Sequence, residues 1–471
     1  MITFGTSGWR GIIADDFTFD NVRLVTQAIS DYTLQGKGEK AVIVGYDTRF
    51  LSENFARAAA EVLAANNIKA LLCKRDTPTP VIAHEILRKG LSGGINFTAS
   101  HNPPHYNGIK FSPSWGGPAL PETTKAIEAS CARLTAGDIK RISFEEARGR
   151  KLIELVDPQA AYFKRIRELV DFKAIKKGNL KIAVDDLYGT AIGYLDTALD
   201  MAGARTIVTH KWRDVLFGGH APEPSEENLS ELYGIMKKES SHLGLACDGD
   251  GDRFGIMDPD GTFINPNETI AALLYHLVQS RCWSGVVARS VMTTGLIDRV
   301  AEKFGIAVRE TPVGFKFIGE VMAREPDEFV IGGEESGGLT IRGHVPEKDG
   351  ILACLLVAEM VAVRKKSVRK ILEEIYAITG RIFSHRLNFR LTPGAMDAFR
   401  RRLHSSPPAR LGTFAVKNTV TIDGYKFIFN DGSWLGVRLS GTEPVVRVYL
   451  ETDSAAKMKK LAAAGRKFVQ Q

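Results

Sequence analysis

Ile95-Asn96-Phe97-Thr98-Ala99-Ser100-His101-Asn102-Pro103-Pro104-His105-Tyr106-Asn107-Gly108-Ile109-Lys110 decides the reading of this chain. The apolar run Ile95 to Phe97 reads as a strand, which puts Ser100 just past a strand's C-terminal end. Open α/β folds bind ligands in the crevice outside those ends. Pro103 and Pro104 lack an N–H and fix φ, so no helix follows. The turn is stiff and exposed, and it presents a hydroxyl flanked by His101 and Lys110. A hydroxyl with a base and a cation nearby can carry a covalent intermediate. A Ser-His-Asp triad is not expected, because His101 is next to Ser100 in sequence and is poorly placed as its base.

Upstream of this stretch, strands and helices alternate. Val42 to Val44 reads as a strand. Ser52 is placed to cap a helix whose apolar face carries Phe55, Ala59, Val62 and Leu63. Ala70 to Cys73 is the next strand, and a helix follows Pro80. The same βαβαβ order recurs twice. Leu180–Val184, Arg205–Val208 and Leu243–Cys247 form a second set; Val286–Arg289, Ala307–Arg309 and Phe329–Ile331 form a third. Each set ends in a loop of unusual polar residues. From about residue 380 the pattern changes to short strands with turn signals at Asp423-Gly424 and Asn430-Asp431-Gly432, then a helix from about Ser454. The expectation is three related α/β domains plus a smaller C-terminal α+β domain, spanning 1–150, 151–256, 257–372 and 373–471. The helix-rich segment 352–378 is read as the connector to the last of these.

Composition narrows the class. A chain of 471 residues with 44% hydrophobic and 25% charged residues is an ordinary soluble globular protein of several domains. The N-terminus lacks a cationic stretch followed by an apolar core, so no signal peptide is expected. No apolar run is long enough to span a bilayer. The net charge of +7 comes from basic residues spread along the chain, without an aromatic-interleaved patch. It suits a site for small anions rather than nucleic acid. Five cysteines occur without a CxxC pair, so neither zinc nor a disulfide framework is implied. A reducing cytoplasm fits.

The second polar loop is Asp248-Gly249-Asp250-Gly251-Asp252-Arg253. Three carboxylates at alternating positions converge on one side of an extended loop, an arrangement that calls for a divalent cation. The opening resembles an EF-hand but fails as one: the sixth position is Arg253 and the twelfth is Pro259. Three carboxylates with room for a phosphate oxygen suit Mg²⁺. The third loop, Gly332 to Gly338, offers Glu334 and Ser336 to neighbouring hydroxyls of a sugar, although a Gly-flanked polar loop is often only a turn. The fourth, Arg438-Leu439-Ser440-Gly441-Thr442-Glu443-Pro444 with Arg447, reads as a phosphate clamp. Taken alone, it reads equally well as a hairpin with a surface arginine. Gly5 to Gly11 adds a flexible loop with Arg10.

Together these motifs resemble the α-D-phosphohexomutase family, of the phosphoglucomutase/phosphomannomutase type. TASHNPPHYNGIK, DGDGDR, GEESGG and RLSGTEP fall in the family's order, one per domain, across essentially the whole chain. The resemblance implies four domains around a central cleft. It implies that Ser100 is phosphorylated and that Asp248, Asp250 and Asp252 hold Mg²⁺ with a phosphoserine oxygen. Arg10 and Arg253 would stabilise the transferring phosphoryl group. Glu334 and Ser336 would grip the sugar. Arg438, Ser440, Gly441, Thr442 and Arg447 would hold the other phosphate. His101 and Lys110 are the candidates for proton transfer and charge stabilisation, with Lys110 ahead. The implied reaction interconverts hexose 1-phosphate and hexose 6-phosphate through a hexose 1,6-bisphosphate, which also serves as activator.

Family members acting on mannose or glucosamine phosphates often carry a different residue at the position of Glu335 and a histidine where Gly338 stands. This chain instead has Glu347-Lys348-Asp349-Gly350 and Gly314-Phe315-Lys316-Phe317, features of the phosphoglucomutase branch, so Lys348 and Lys316 are expected to replace the histidine. The expected substrate is a glucose phosphate, with mannose or pentose phosphates secondary and a phosphosugar phosphatase the remaining alternative. No nucleic-acid or membrane partner is expected, and the protein is expected to be a cytoplasmic monomer or homodimer.

Overall fold

The computed structural model describes residues 2–5, 7–36, 40–439 and 445–470. Four sheets follow one another along the chain. The first contains β1 (Trp9–Ile12), β2 (Ala41–Tyr46), β3 (Lys69–Cys73), β4 (Gly93–Phe97), β5 (Tyr106–Pro113) and β6 (Ile153–Val156), in the order β1-β5-β4-β2-β3-β6. The second contains β7 (Lys181–Asp185), β8 (Arg205–Thr209), β9 (Leu243–Cys247), β10 (Phe254–Met257) and β11 (Phe263–Ile264), in the order β11-β10-β9-β7-β8. The third contains β12 (Val286–Ser290), β13 (Ala307–Thr311), β14 (Phe329–Glu334) and β15 (Gly338–Ile341), in the order β13-β12-β14-β15.

These three sheets repeat one plan. A central strand (β2, β7 or β12) pairs in parallel with the next two strands. The last parallel strand (β4, β9 or β14) then turns back into an antiparallel partner (β5, β10 or β15). Parallel neighbours need a helical crossover, whereas a reversal needs only a loop. Ser100, the three aspartates and Glu334-Glu335-Ser336 all lie at these reversals, at the carboxyl ends of β4, β9 and β14.

The fourth sheet is wholly antiparallel: β16 (Phe383–Arg390), β17 (Arg410–Leu411), β18 (Phe414–Val420), β19 (Tyr425–Phe429), β20 (Trp434–Leu439) and β21 (Val445–Thr452), in the order β16-β21-β20-β19-β18-β17. Leu387, Val437, Val448 and Leu450 help form its apolar core, which includes residues of the helices Pro393–Ser405 and Ala455–Gln470. Strand alternation sends Arg386, Asn388, Arg438 and Arg447 to the opposite face.

The expected divisions shift where strand pairing requires it. Ile153–Val156 pairs with β3, so the first sheet extends past residue 150. Phe263–Ile264 pairs with β10, so the second extends past 256. The helix Val368–Thr379 carries on past 372 and packs into the core shared by the second and third domains.

Two local expectations are corrected. The segment 352–378 is not a simple connector. Its first helix, Gly350–Arg364, is apolar nearly all round and lies buried in the core that joins the second and third domains. Its buried Glu359 accepts from Arg281 Nη2 at 2.9 Å and from the Asp171 amide at 2.8 Å, and it pairs with His276. Ser52 does not cap its helix. It is the first helical residue, after Leu51 at φ +62°, and its hydroxyl donates to Asp47 Oδ1 at 2.8 Å.

Candidate active site

Ser100 sits at φ +52° and is almost completely buried. Its Oγ donates to Asp248 Oδ2 at 2.7 Å and lies 3.3 Å from His101 Nδ1. The left-handed backbone at Ser100 lets two adjacent side chains meet, which sequence adjacency had argued against. Burial, then Arg253 and Arg10, push the His101 imidazole well below its ordinary range.

The loop around Ser100 is held from beneath by Arg49, which the sequence reading missed. This fully buried guanidinium donates to the carbonyls of Ser100 (2.7 Å), Asn102 (2.6 Å), Pro103 (2.8 Å) and Tyr106 (3.0 Å). Its Nε donates to Asp47 Oδ2 at 3.0 Å. The available signal was position: Asp47-Thr48-Arg49 follows β2 at the same sheet end as the other polar loops. Arg10, from β1, donates to Asn102 Oδ1 at 2.6 Å. Burial and the neighbouring Arg253 push its guanidinium down to about 10.

Asp248, Asp250 and Asp252 are buried, and each offers an oxygen within 4.8 Å of the others. The backbone shapes the loop: Gly251 takes φ +70°, and a Cβ on Gly249 would stand 2.8 Å from the Ser100 carbonyl oxygen. Asp248 Oδ1 accepts from the amides of Asp252 and Arg253, both at 3.0 Å. Thr79 donates to Asp250 Oδ2 at 2.6 Å. Lys110 Nζ lies 2.5 Å from Asp250 Oδ2 and 2.8 Å from Asp252 Oδ2, and Lys348 Nζ is 3.1 Å from Asp252 Oδ2. Burial disfavours the Lys110 charge, but Asp250 and Asp252 outweigh it and hold the ammonium above its ordinary range. Asp250 Oδ1 and Asp252 Oδ1 are buried without a hydrogen-bond partner. Such orphaned carboxylate oxygens are costly, and hard oxygen donors of this kind fit Mg²⁺.

The third loop is tied to the second: the Phe254 amide donates to the Gly337 carbonyl at 3.1 Å. Glu334 Oε1 accepts from the Gly314 amide at 2.7 Å. Burial, then Glu335, push the Glu334 carboxyl up to about 7. Glu335 Oε2 accepts from Ser290 (2.9 Å) and lies 3.1 Å from Thr293 Oγ1. Ser336 and Arg253 line a cavity of about 420 Å³ whose walls also include Arg386, Trp434 and Tyr449 of the fourth sheet. Lys316 is the second residue of the helix Phe315–Arg324; burial, and to a lesser extent Arg438, lower its ammonium. In the fourth sheet, Arg438 and Arg447 stand directly opposite each other on β20 and β21. Facing like charges are destabilising in a sheet, and an anion between them would relieve that cost. Ser440, Gly441 and Thr442 lie outside the described residues.

Sequence models of four consecutive domains match this chain: "Phosphoglucomutase/phosphomannomutase, alpha/beta/alpha domain I" over residues 1–138, domain II over 160–261, domain III over 265–378 and the C-terminal domain over 387–467. The chain is 31% identical to a phosphoglucomutase of Komagataeibacter xylinus, with 97% of this chain and 89% of that one aligned. The chain belongs to the phosphoglucomutase/phosphomannomutase family.

A "Phosphoglucomutase/phosphomannomutase" of Thermococcus kodakarensis is 29% identical over 99% of this chain and 98% of its own length. A solved structure from Thermus thermophilus superposes with TM-score 0.86 at 33% identity, covering 100% of this chain and 99% of that one. The chain is therefore a phosphohexomutase, an isomerase of hexose phosphates. Members of this family generally use Mg²⁺, and among the described residues the aspartate triad is a group that could hold it. Among the described residues, no helix is long and apolar enough to cross a membrane.

Proposed function

We propose that this phosphohexomutase works through phospho-Ser100 and prefers glucose phosphates. The observation that carries the reading is the Ser100 hydroxyl held at 2.7 Å against the first residue of a buried aspartate triad, with cations on the surrounding elements. Phospho-Ser100 gives its phosphoryl group to O6 of a hexose 1-phosphate: the Ser100 Oγ–P bond breaks as the O6–P bond forms, the O6 proton leaves to a base, and Oγ takes up a proton as it departs. The 1,6-bisphosphate turns round, and its 1-phosphoryl group returns to Ser100: the O1–P bond breaks as the Oγ–P bond forms and O1 takes up a proton, leaving the 6-phosphate. In that return step the Ser100 proton must leave; it points to Asp248 Oδ2 at 2.7 Å, with His101 Nδ1 at 3.3 Å the second candidate acceptor. Lys110, held charged by its carboxylates, is assigned to stabilising the transferring group with Arg10 and Arg253. Mg²⁺ held by Asp248, Asp250 and Asp252 would neutralise charge on the transferring phosphoryl group.

Glu334 and Ser336 are assigned to the sugar. Lys316, Arg438 and Arg447, with Ser440, Gly441 and Thr442, are assigned to the non-reacting phosphate. Charge-based recognition tolerates phosphate at either end of the sugar. A Cβ on Gly338 would stand 2.2 Å from Lys348 Cδ, so Lys348 fills the space a larger residue there would need; this supports the glucose preference. A hexose 1,6-bisphosphate is the expected activator.

The test incubates the protein with Mg²⁺, a trace of glucose 1,6-bisphosphate, and glucose 1-phosphate or mannose 1-phosphate, following 6-phosphate and free phosphate. Faster 6-phosphate from glucose, without phosphate release and lost in Ser100→Ala, supports the proposal. A mannose preference overturns the sugar assignment. Free phosphate alone replaces the mutase with a phosphatase. Normal turnover by Ser100→Ala removes the phosphoserine.

A further inference from the structure

Asp423 marks the turn between β18 and β19, and it does more than close a hairpin. Its carboxylate accepts from Arg438 Nε at 3.2 Å (Oδ1) and 3.1 Å (Oδ2), and Oδ2 also accepts from the Val313 amide at 3.1 Å. The next amide along that chain, Gly314, donates to Glu334 Oε1 at 2.7 Å. Two consecutive N–H groups of the third domain thus hold two different carboxylates. One is the partner of the proposed phosphate-clamp arginine, and the other is the proposed sugar-binding residue. Gly314 adopts φ +129°, a conformation that L side chains rarely take, and Lys316 follows two residues later.

We infer that Asp423 is a positioning residue that aims Arg438 at the phosphate and fixes the clamp relative to Glu334. The inference rests on the clamp assignment above. A guanidinium is a planar fork of five donors. Gripping it at Nε fixes the plane and directs the terminal nitrogens, the pair that matches a phosphate edge. The Val313–Gly314 peptide sets the span between the clamp and the carboxylate that meets the sugar. Asp423 also offsets the repulsion between the facing Arg438 and Arg447 before an anion arrives. A carboxylate this close to a phosphate site would weaken anion binding if it acted by charge alone. The sign of its effect therefore separates positioning from screening.

The experiment compares wild type, Asp423→Ala, Asp423→Asn, Arg438→Ala and the Asp423→Ala/Arg438→Ala double variant. It measures KM and kcat for glucose 1-phosphate and the inhibition constant of inorganic phosphate, with melting temperatures as the folding control. Asp423→Ala should raise KM and the phosphate constant about tenfold, the effect of one charged hydrogen bond, with a much smaller change in kcat. Asp423→Asn keeps an acceptor for Val313 and should fall between. The double variant should be no worse than Arg438→Ala. Unchanged or tighter phosphate binding in a folded Asp423→Ala or Asp423→Asn, or fully multiplicative effects in the double variant, would overturn the inference. If Arg438→Ala itself leaves KM and phosphate inhibition unchanged, the clamp assignment fails and the inference with it.

Discussion

Lys110 Nζ lies 2.5 Å from Asp250 Oδ2 and 2.8 Å from Asp252 Oδ2, between two of the carboxylates that form the candidate metal site. The ammonium does part of a cation's work there. Lys110→Met would leave a buried cluster of negative charge with Lys348 as the ammonium still bound to it. Breaking a buried pair costs about 3–5 kcal/mol. The variant should therefore melt well below wild type in chelator, and Mg²⁺ should raise its melting temperature more than it raises that of wild type. Equal Mg²⁺ shifts in the two proteins would mean that the lysine and the metal do not share these carboxylates.

Arg49 makes four hydrogen bonds to carbonyls of the Ser100 loop. Lysine has three donors on a compact, rotating head and cannot reproduce the fork. Arg49→Lys should lower kcat by about 100-fold, the scale of a 1 Å misplacement of a reacting group, while KM stays within a few fold. Phosphorylation of Ser100 by glucose 1,6-bisphosphate should slow in parallel. A variant that melts lower but turns over normally would show that the loop keeps its shape without this support.

The contrast between Arg49 and the motifs around it shows what a single sequence makes legible. Ser100 was readable because an apolar run precedes it and two prolines stop the chain after it. The aspartates were readable because three in five residues are unusual. Arg49 is one arginine after a strand, and only the folded loop brings four separate carbonyls to it. Asp423 looked like a turn residue because its partners lie 15 and 110 positions away. Helix Gly350–Arg364 was visible as a helix, but its burial between two domains depends on tertiary packing. Ser52 has the chemistry of a cap, yet Asp47 takes its hydroxyl. Local pattern gave the elements and the loops; long-range partners gave the positioning residues.

Glu334 offers a pH test. Its carboxyl is pushed up to about 7 in the folded protein, by burial first and Glu335 second, against an ordinary value near 4.5. Between those pH values the native state binds more protons than the unfolded one, so this group makes stability fall as pH rises through the window. The full effect is about 3 kcal/mol above pH 7. Glu334→Gln cannot ionise. It should melt higher relative to wild type at pH 8 than at pH 5. A difference that is the same at both pH values would mean that Glu334 is ionised throughout.

Gly338 and Lys348 compete for one volume. A Cβ on Gly338 would stand 2.2 Å from Lys348 Cδ and 2.5 Å from Cγ. Lys348 is buried and its ammonium is held by Asp252 at 3.1 Å and Glu347 at 3.0 Å, so it has little freedom to swing away. Gly338→His should therefore overpack the site, at about 1–3 kcal/mol, and lower kcat/KM for glucose 1-phosphate by more than tenfold. Shortening the neighbour makes room, but Gly338→His/Lys348→Ala also gives up the buried pairs to Asp252 and Glu347, a loss of about 3–5 kcal/mol that exceeds the overpacking relieved, so it should melt no higher than Gly338→His alone. If Lys348 occupies the place of the histidine found in mannose-acting relatives, the double variant should also raise the ratio of mannose 1-phosphate to glucose 1-phosphate turnover. A Gly338→His protein that matches wild type in melting and rate would show that the lysine can yield. A double variant with an unchanged sugar ratio would show that this contact governs packing and leaves the choice of sugar to other residues.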